Sequence, residues 1–288
     1  MKTISISVLV ILLAIPACSP LNISPQTDLP NINTIVAATM QALSETQVTH
    51  VEVLPTQTPQ PSGIPINFEN ITIIIPNGLA SGATGEKFPA DPTDTVAGGW
   101  PAYIGFTLSS YLLQDMRMPP TIRIFSAEEF RLRDPTVNER MDSLKSILSN
   151  PNASLDKLPI LPIQMAGPLI QAQTQVINFQ NGSGIRYLTQ FAQYPAIVSN
   201  HELFYNFIGL SQDGKYFISA VLPVNVAFLP ADSNPQTVVP TGGIPSPPNG
   251  GNEVYYTAVM EKLNRTDPTA FSPSLPMLDA LIQSVSIQ

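Results

Sequence analysis

The chain is poor in the side chains that usually carry chemistry. It has one cysteine and two histidines in 288 residues, and charged residues make up only 12%. The single cysteine, Cys18, excludes an intrachain disulfide and a cysteine-built metal centre. His50 falls before the folded part, so a two-histidine metal site within that part is excluded, and no metal or cofactor is expected. Lys and Arg total 13 against 21 Asp and Glu, a net charge of −8, and the basic residues form no cluster. Binding phosphates needs concentrated positive charge, so nucleic acid is excluded as a partner. Electrostatic docking on anionic lipid is excluded for the same reason. The glycines form neither G-x-G-x-x-G nor a phosphate-binding loop. No serine stands in a G-x-S-x-G elbow, and the Asp91–Asp94 stretch lacks the calcium-loop pattern.

What the chain does have is a polar, proline-rich surface composition, with 30 prolines, of the kind common outside the cytoplasm. Its start is Met1-Lys2-Thr3, an apolar-rich run from Ile4 to Ile15, then Pro16-Ala17-Cys18. That run is shorter than the roughly 20 residues needed to span a bilayer, and it fits the apolar core of a secretory signal. Ile15-Pro16-Ala17-Cys18 resembles the lipobox of bacterial lipoproteins, with an aliphatic residue at −3 and a small one at −1. Pro16 departs from the usual small residue at −2. The resemblance implies a signal peptide over 1–17 and a mature chain starting at Cys18. The cysteine would then carry a diacylglyceryl thioether and an N-acyl group such as palmitate, enough chains for stable anchoring. The alternative is an ordinary secretory signal with a chance cysteine.

Residues 18–65 read as a tether. A short helix over 34–47, capped by Asn33, is expected to be a spacer or a contact helix. Val53 to Pro65 is proline-rich linker that cannot form a core. A domain held off a membrane, facing outside the cytoplasm at the cell surface or in a periplasm, follows.

Residues 66–288 are expected to form one α+β domain. Ile66 to Ile75 reads as a strand ended by Pro76-Asn77-Gly78, and 76–101 as loop. Tyr103–Leu113 and Thr121–Phe125 read as strands. Ser126 and Glu129 make a capping box for a short helix, and Asp134-Pro135 starts another with Val137, Met141, Leu144 and Leu148 inward. Leu158–Ile170, broken by three prolines, closes an end of the sheet or walls a groove.

A four-stranded antiparallel meander over 172–224 is the expected centre, turning at Asn181-Gly182-Ser183-Gly184 and at Gln212-Asp213-Gly214. In its third strand Leu203, Tyr205 and Phe207 share one face, and Phe204, Ile208 and Leu210 the other. A sheet apolar on both faces needs cover on both, for which helices are available. The 225–251 stretch is disorder-prone by composition, Glu253–Leu263 is a helix, and Ser272-Pro273 starts a last helix that runs towards an edge strand at Ser284–Ile287. The order resembles the PsbP/Mog1-type fold, on I-T-I-I-I-P, the Asp-Gly hairpin and a closing helix running into V-S-I. Many members of that fold are non-catalytic lipoproteins or assembly factors, and the resemblance implies as much here. The whole chain is also similar to bacterial surface lipoproteins with a threonine- and proline-rich spacer.

Four residues are candidates for ligand binding. Trp100, flanked by Gly99 and Pro101, is a recognition aromatic or core packing, with Tyr103 near. Arg186 holds an anion or pairs with a local carboxylate. His201, in Ser199-Asn200-His201-Glu202, is a hydrogen-bonded surface residue or the base of a serine hydrolase. That hydrolase would use Ser183 or Ser199 as nucleophile, oriented by Glu202 or Asp213. The expected function is a non-enzymatic module binding an envelope protein or small ligand, with a serine hydrolase or an envelope-glycan binder at Trp100 as alternatives.

Overall fold

The structure is a computed structural model, described for residues 62–92, 99–162 and 165–288. The leader, Cys18, the helix expected over 34–47 and almost all of the linker lie outside the described residues. The chain enters with β1 (Gly63–Phe68), which folds back on β2 (Ile71–Pro76). The single strand expected over 66–75 is thus a hairpin. It was hidden because its turn, Glu69-Asn70, carries no glycine or proline, and Glu69 itself takes a φ of 54°. Pro65 is tolerated because β1 lies at the edge of its sheet, so its missing N–H leaves no ladder bond unmade.

A strand also stands where only loop was expected, β3 (Gly82–Phe88), paired along its length with β4 (Tyr103–Ser109). β5 (Thr121–Ser126) follows. Helix α1 (Ala127–Arg131) starts where Ser126 Oγ accepts the Glu129 amide at 3.3 Å. Helix α2 (Pro135–Ser149) starts at Asp134, whose carboxylate accepts the Thr136 amide at 2.7 Å, with proline at the first position. Those hydrogen bonds hold the Asp134 carboxyl below the usual carboxylate range.

The centre is antiparallel throughout. After the short β6 (Gly167–Pro168) come β7 (Ala172–Phe179), β8 (Gly182–Thr189), the short β9 (Phe191–Ala192), β10 (Phe204–Ser211) and β11 (Tyr216–Pro223). The four long strands form the expected meander. It is extended through β5 into one sheet of seven strands, ordered β3-β4-β5-β11-β10-β8-β7. Gly214 turns the β10–β11 connection with a φ of 72°. Gly182 does something else: it is the first residue of β8, and a Cβ there would sit 2.2 Å from the Phe179 ring. The β7–β8 turn is Gln180-Asn181, so Ser183 lies in a strand, opposite Leu210, and not in a turn.

Period-2 alternation splits the sheet as the sequence predicts. Leu203, Tyr205, Phe207, Ile218 and Leu222 join one buried cluster, while Ile208, Leu210, Phe217 and Phe125 join another. Fully burying one such side chain contributes about 1.5–3 kcal/mol. The first cluster includes β2 and residues of α3 (Glu253–Arg265) and α4 (Leu275–Gln283); the second includes Phe130 of α1 and Met141 and Leu144 of α2.

Within 225–251, Val226, Phe228 and Leu229 are buried, and β12 (Asn225–Val226) pairs with β13 (Phe271–Ser272). That pairing places Ser272 in a strand. The last helix is instead preceded by Ser274 as its N-cap, with Pro276 in its first turn. The chain closes with β14 (Ser286–Ile287), which adds to β2 as the third strand of the small sheet.

Candidate functional site

The four residues singled out in the sequence do not converge. Trp100 packs edge-on to Tyr103 and Phe125, with centroids 6.0 and 5.9 Å away. The Arg123 guanidinium lies 5.2 Å over the indole. Burial lowers the Arg123 pKa, and the Tyr103 hydroxyl partly restores it. Trp100 and Tyr103 therefore belong to one aromatic wall of the second cluster, and half-burial ties them to packing.

Arg186 is 3% exposed and sits inside the other cluster's side of the sheet. Its Nη1 donates to the Gln173 carbonyl and its Nη2 to Gln175 Oε1 at 2.8 Å. Its Nε lies 3.4 Å from Asp279 Oδ1 but makes no aligned hydrogen bond. Tyr205 donates its hydroxyl to the same carboxylate oxygen at 2.9 Å. The carboxylate that answers Arg186 is thus on α4, near the end of the chain, and is not local in sequence. Burial raises the Asp279 pKa, against the pull of Arg186 and Tyr205.

The serine–histidine arrangement is not assembled. Ser199 Oγ is fully buried and makes no hydrogen bond. Ser183 pairs with Leu210, whereas His201 precedes the start of β10; about six residues of strand, roughly 20 Å, separate them. Asp213 accepts Ser211 Oγ at 2.7 Å and the Lys215 amide at 3.1 Å within its own turn. Those bonds, the serine first, hold its carboxyl down to about 2.

The residue after His201, Glu202, lines a crevice. Two cavities of about 210 and 100 Å³ share Arg117, Ala166, Phe191 and Glu202 in their walls. The smaller adds Met118 and Phe204, the larger Tyr194 and Ala196. Arg117 Nη1 donates to Glu202 Oε1 at 3.3 Å, and His201 Nδ1 lies 3.9 Å from the same oxygen. Phe191 and Phe204 stand at right angles, centroids 5.5 Å apart.

The backbone under this crevice is tied down on every side. Gln190, fully buried, donates to the Ile197 carbonyl and accepts the Ser199 amide, both at 3.0 Å. Asn200 and His201 amides donate to the Pro230 and Ala231 carbonyls, and Asn200 Nδ2 to the Val226 carbonyl. The Arg117 amide donates to the His201 carbonyl at 3.1 Å, which joins the β4–β5 connection to the turn carrying Glu202. The pairing of β6 with β9 sets Ala166 opposite this turn. Ala166, from the proline-broken segment, thus lines the groove.

A larger cavity, about 460 Å³, opens between the two hairpin ends and α2. Several of its polar groups are taken up by the fold itself. Asn181 is bonded both ways to Ile287, and Gln180 Nε2 donates to the Gln283 carbonyl at 2.9 Å. Those bonds fasten the hairpin to the C-terminus, so the crevice at Arg117 and Glu202 is the better candidate. Sequence reasoning named Glu202 only as an orienter and Phe204 only as one face of its strand, and missed Arg117, Phe191 and Tyr194, which carry no periodic or spacing signal. No family model matches the chain, and no curated protein or solved structure matches it either.

Proposed function

We propose that the protein is a lipid-anchored, non-catalytic module that faces outside the cytoplasm and binds a small ligand or partner in the Arg117–Glu202 crevice. The membrane half of this reading is supported by Ile15-Pro16-Ala17-Cys18, with its acyl and diacylglyceryl groups on Cys18, and by the proline-rich tether after it. The binding half rests on one observation. A cavity with an ion pair in its wall and two perpendicular aromatic rings is built on backbone pinned by buried Gln190 and by Asn200. Small-ligand sites have this form, an apolar concavity with few, fixed polar groups. The fold reading extends the same proposal: the domain is PsbP/Mog1-like, with α1–α2 and α3–α4 as covers for opposite sheet faces. Its support is the assignment of the two helix pairs to separate core clusters.

Each half has its own test. Cys18→Ser should move the protein from the membrane to the soluble fraction, and the mature wild-type mass should exceed the polypeptide from Cys18 by the lipid groups. An unmodified mass sinks the anchor. For binding, a metabolite library is screened by thermal shift against the full chain and against Ala166→Trp, which plugs the crevice. Stabilising hits lost in the variant support the reading; hits that persist there, or none at all, count against it.

A further inference from the structure

We infer that the crevice takes a small quaternary ammonium group, seated between the Phe191 and Phe204 rings and the Glu202 carboxylate. This rests on the crevice being the binding site and goes further by naming what it binds. The Glu202 side chain is only 9% exposed, yet its sole hydrogen bond among the described residues is one 3.3 Å contact from Arg117. Charge-assisted bonds are normally about 2.7–2.9 Å, and a carboxylate this buried calls for closer cationic partners. Arg117 is 58% exposed, and an exposed arginine held by one long contact is readily displaced.

The walls fit the same ligand. A cation is attracted to an aromatic face within about 6 Å, and Phe191 and the buried Phe204, set at 90° to each other, both line the smaller cavity. Tyr194, 61% exposed, adds a third ring at the rim. Volumes of about 210 and 100 Å³ fall below the roughly 300–1,000 Å³ of drug-sized pockets, which restricts the occupant to a few heavy atoms. Of the two charges in the wall Glu202 is the buried one and Arg117 the solvent-screened one, which favours a cation over an anion, and the net charge of −8 draws cations towards the protein.

The test is calorimetric titration of the full chain with choline, with its neutral carbon isostere 3,3-dimethyl-1-butanol, and with acetate. Choline should bind, the isostere at least tenfold more weakly and acetate not at all. Glu202→Gln should lose at least tenfold in choline affinity, and Phe191→Leu, which keeps apolar volume without a π face, severalfold. Arg117→Gln should bind choline severalfold more tightly, because the competing cation is gone; a merely structural role would not produce that gain. Competition by phosphatidylcholine vesicles would assign the ammonium to a lipid headgroup and its absence to a free metabolite, either upholding the inference. Equal binding of choline and the isostere overturns it while leaving the crevice a ligand site. Failure of choline to bind, or choline binding indifferent to both Glu202→Gln and Phe191→Leu, overturns it too. The Ala166→Trp screen decides the wider reading independently.

Discussion

Removing Arg186 should unmask a buried carboxylate, and the penalty should depend on pH. Arg186 is 3% exposed and the Asp279 side chain 14%, so the arginine is out of water and the carboxylate has little of it. Breaking a buried pair by deleting one partner costs about 3–5 kcal/mol, because an uncompensated charge is left behind. In Arg186→Met the cation that holds the Asp279 pKa down is lost, while the burial that raises it remains. A carboxyl whose folded pKa lies above its unfolded one keeps its proton longer in the folded state. Stability therefore falls as pH rises from the ordinary value of 3.8 to the folded value, and stays lowered above it. Within that window the slope approaches about 1.4 kcal/mol per pH unit. Urea midpoints should show Arg186→Met close to wild type at pH 4 and about 3–5 kcal/mol weaker at pH 7. The double variant Arg186→Met/Asp279→Leu should recover most of the loss, since well-packed apolar replacements of a buried pair are often neutral. A pH-independent loss, or additive single and double variants, would refute this account of the pair.

Other positions give sharper signs than magnitudes. Thr121 Oγ1 and Ser219 Oγ are buried on one face of the sheet without hydrogen-bond partners, so Thr121→Val and Ser219→Ala should be neutral or stabilise by about 1 kcal/mol in urea melts. A loss above about 1 kcal/mol would mean that these hydroxyls are satisfied. Gly184→Ala should cost about 1–3 kcal/mol or more, because its Cβ would meet the Ile208 carbonyl oxygen at 2.4 Å in the middle of the sheet. Gly214→Ala has open space and only the φ of 72° against it, so it should cost about 1 kcal/mol, and the reverse order of the two glycines would contradict the geometry.

How legible the fold was depended on whether an element declares itself locally. Asp134-Pro135 states a helix start in two residues, and the cap forms as read. The β10–β11 hairpin declares itself because Gly214 is needed for its φ. β3 does not: Gly-Ala-Thr-Gly-Glu-Lys-Phe has no alternation and little apolar content, and it is a strand because β4 offers it a ladder from Gly82 to Phe88. Its fourth residue shows the same dependence, since a Cβ on Gly85 would lie 2.5 Å from the Phe68 ring of β1. Gly182 was read for the wrong reason, as a turn glycine, when the constraint on it is the Phe179 ring.

The site was less legible than the fold for a related reason. Arg186 was expected to hold an anion or to pair with a local carboxylate, but its carboxylate arrives on α4, and nothing near Arg186 in sequence announces Asp279. The crevice is the extreme case. Arg117 comes from a connection between strands, Glu202 from a turn, Phe191 from a two-residue strand and Ala166 from a proline-broken segment. Each piece is irregular, so none has a period to read, and the residues that position them are side-chain amides such as the buried Gln190 and the half-buried Asn200. A polar side chain fully buried next to irregular backbone is the signal that remains. It marks where the chain spends hydrogen bonds to hold loops still, and here those loops surround the Glu202 carboxylate. If that is the design, Gln190→Leu should weaken ligand binding at the crevice by more than its thermal destabilisation accounts for. A loss of stability with choline affinity intact would instead make Gln190 a packing residue and the rigidity of the crevice incidental.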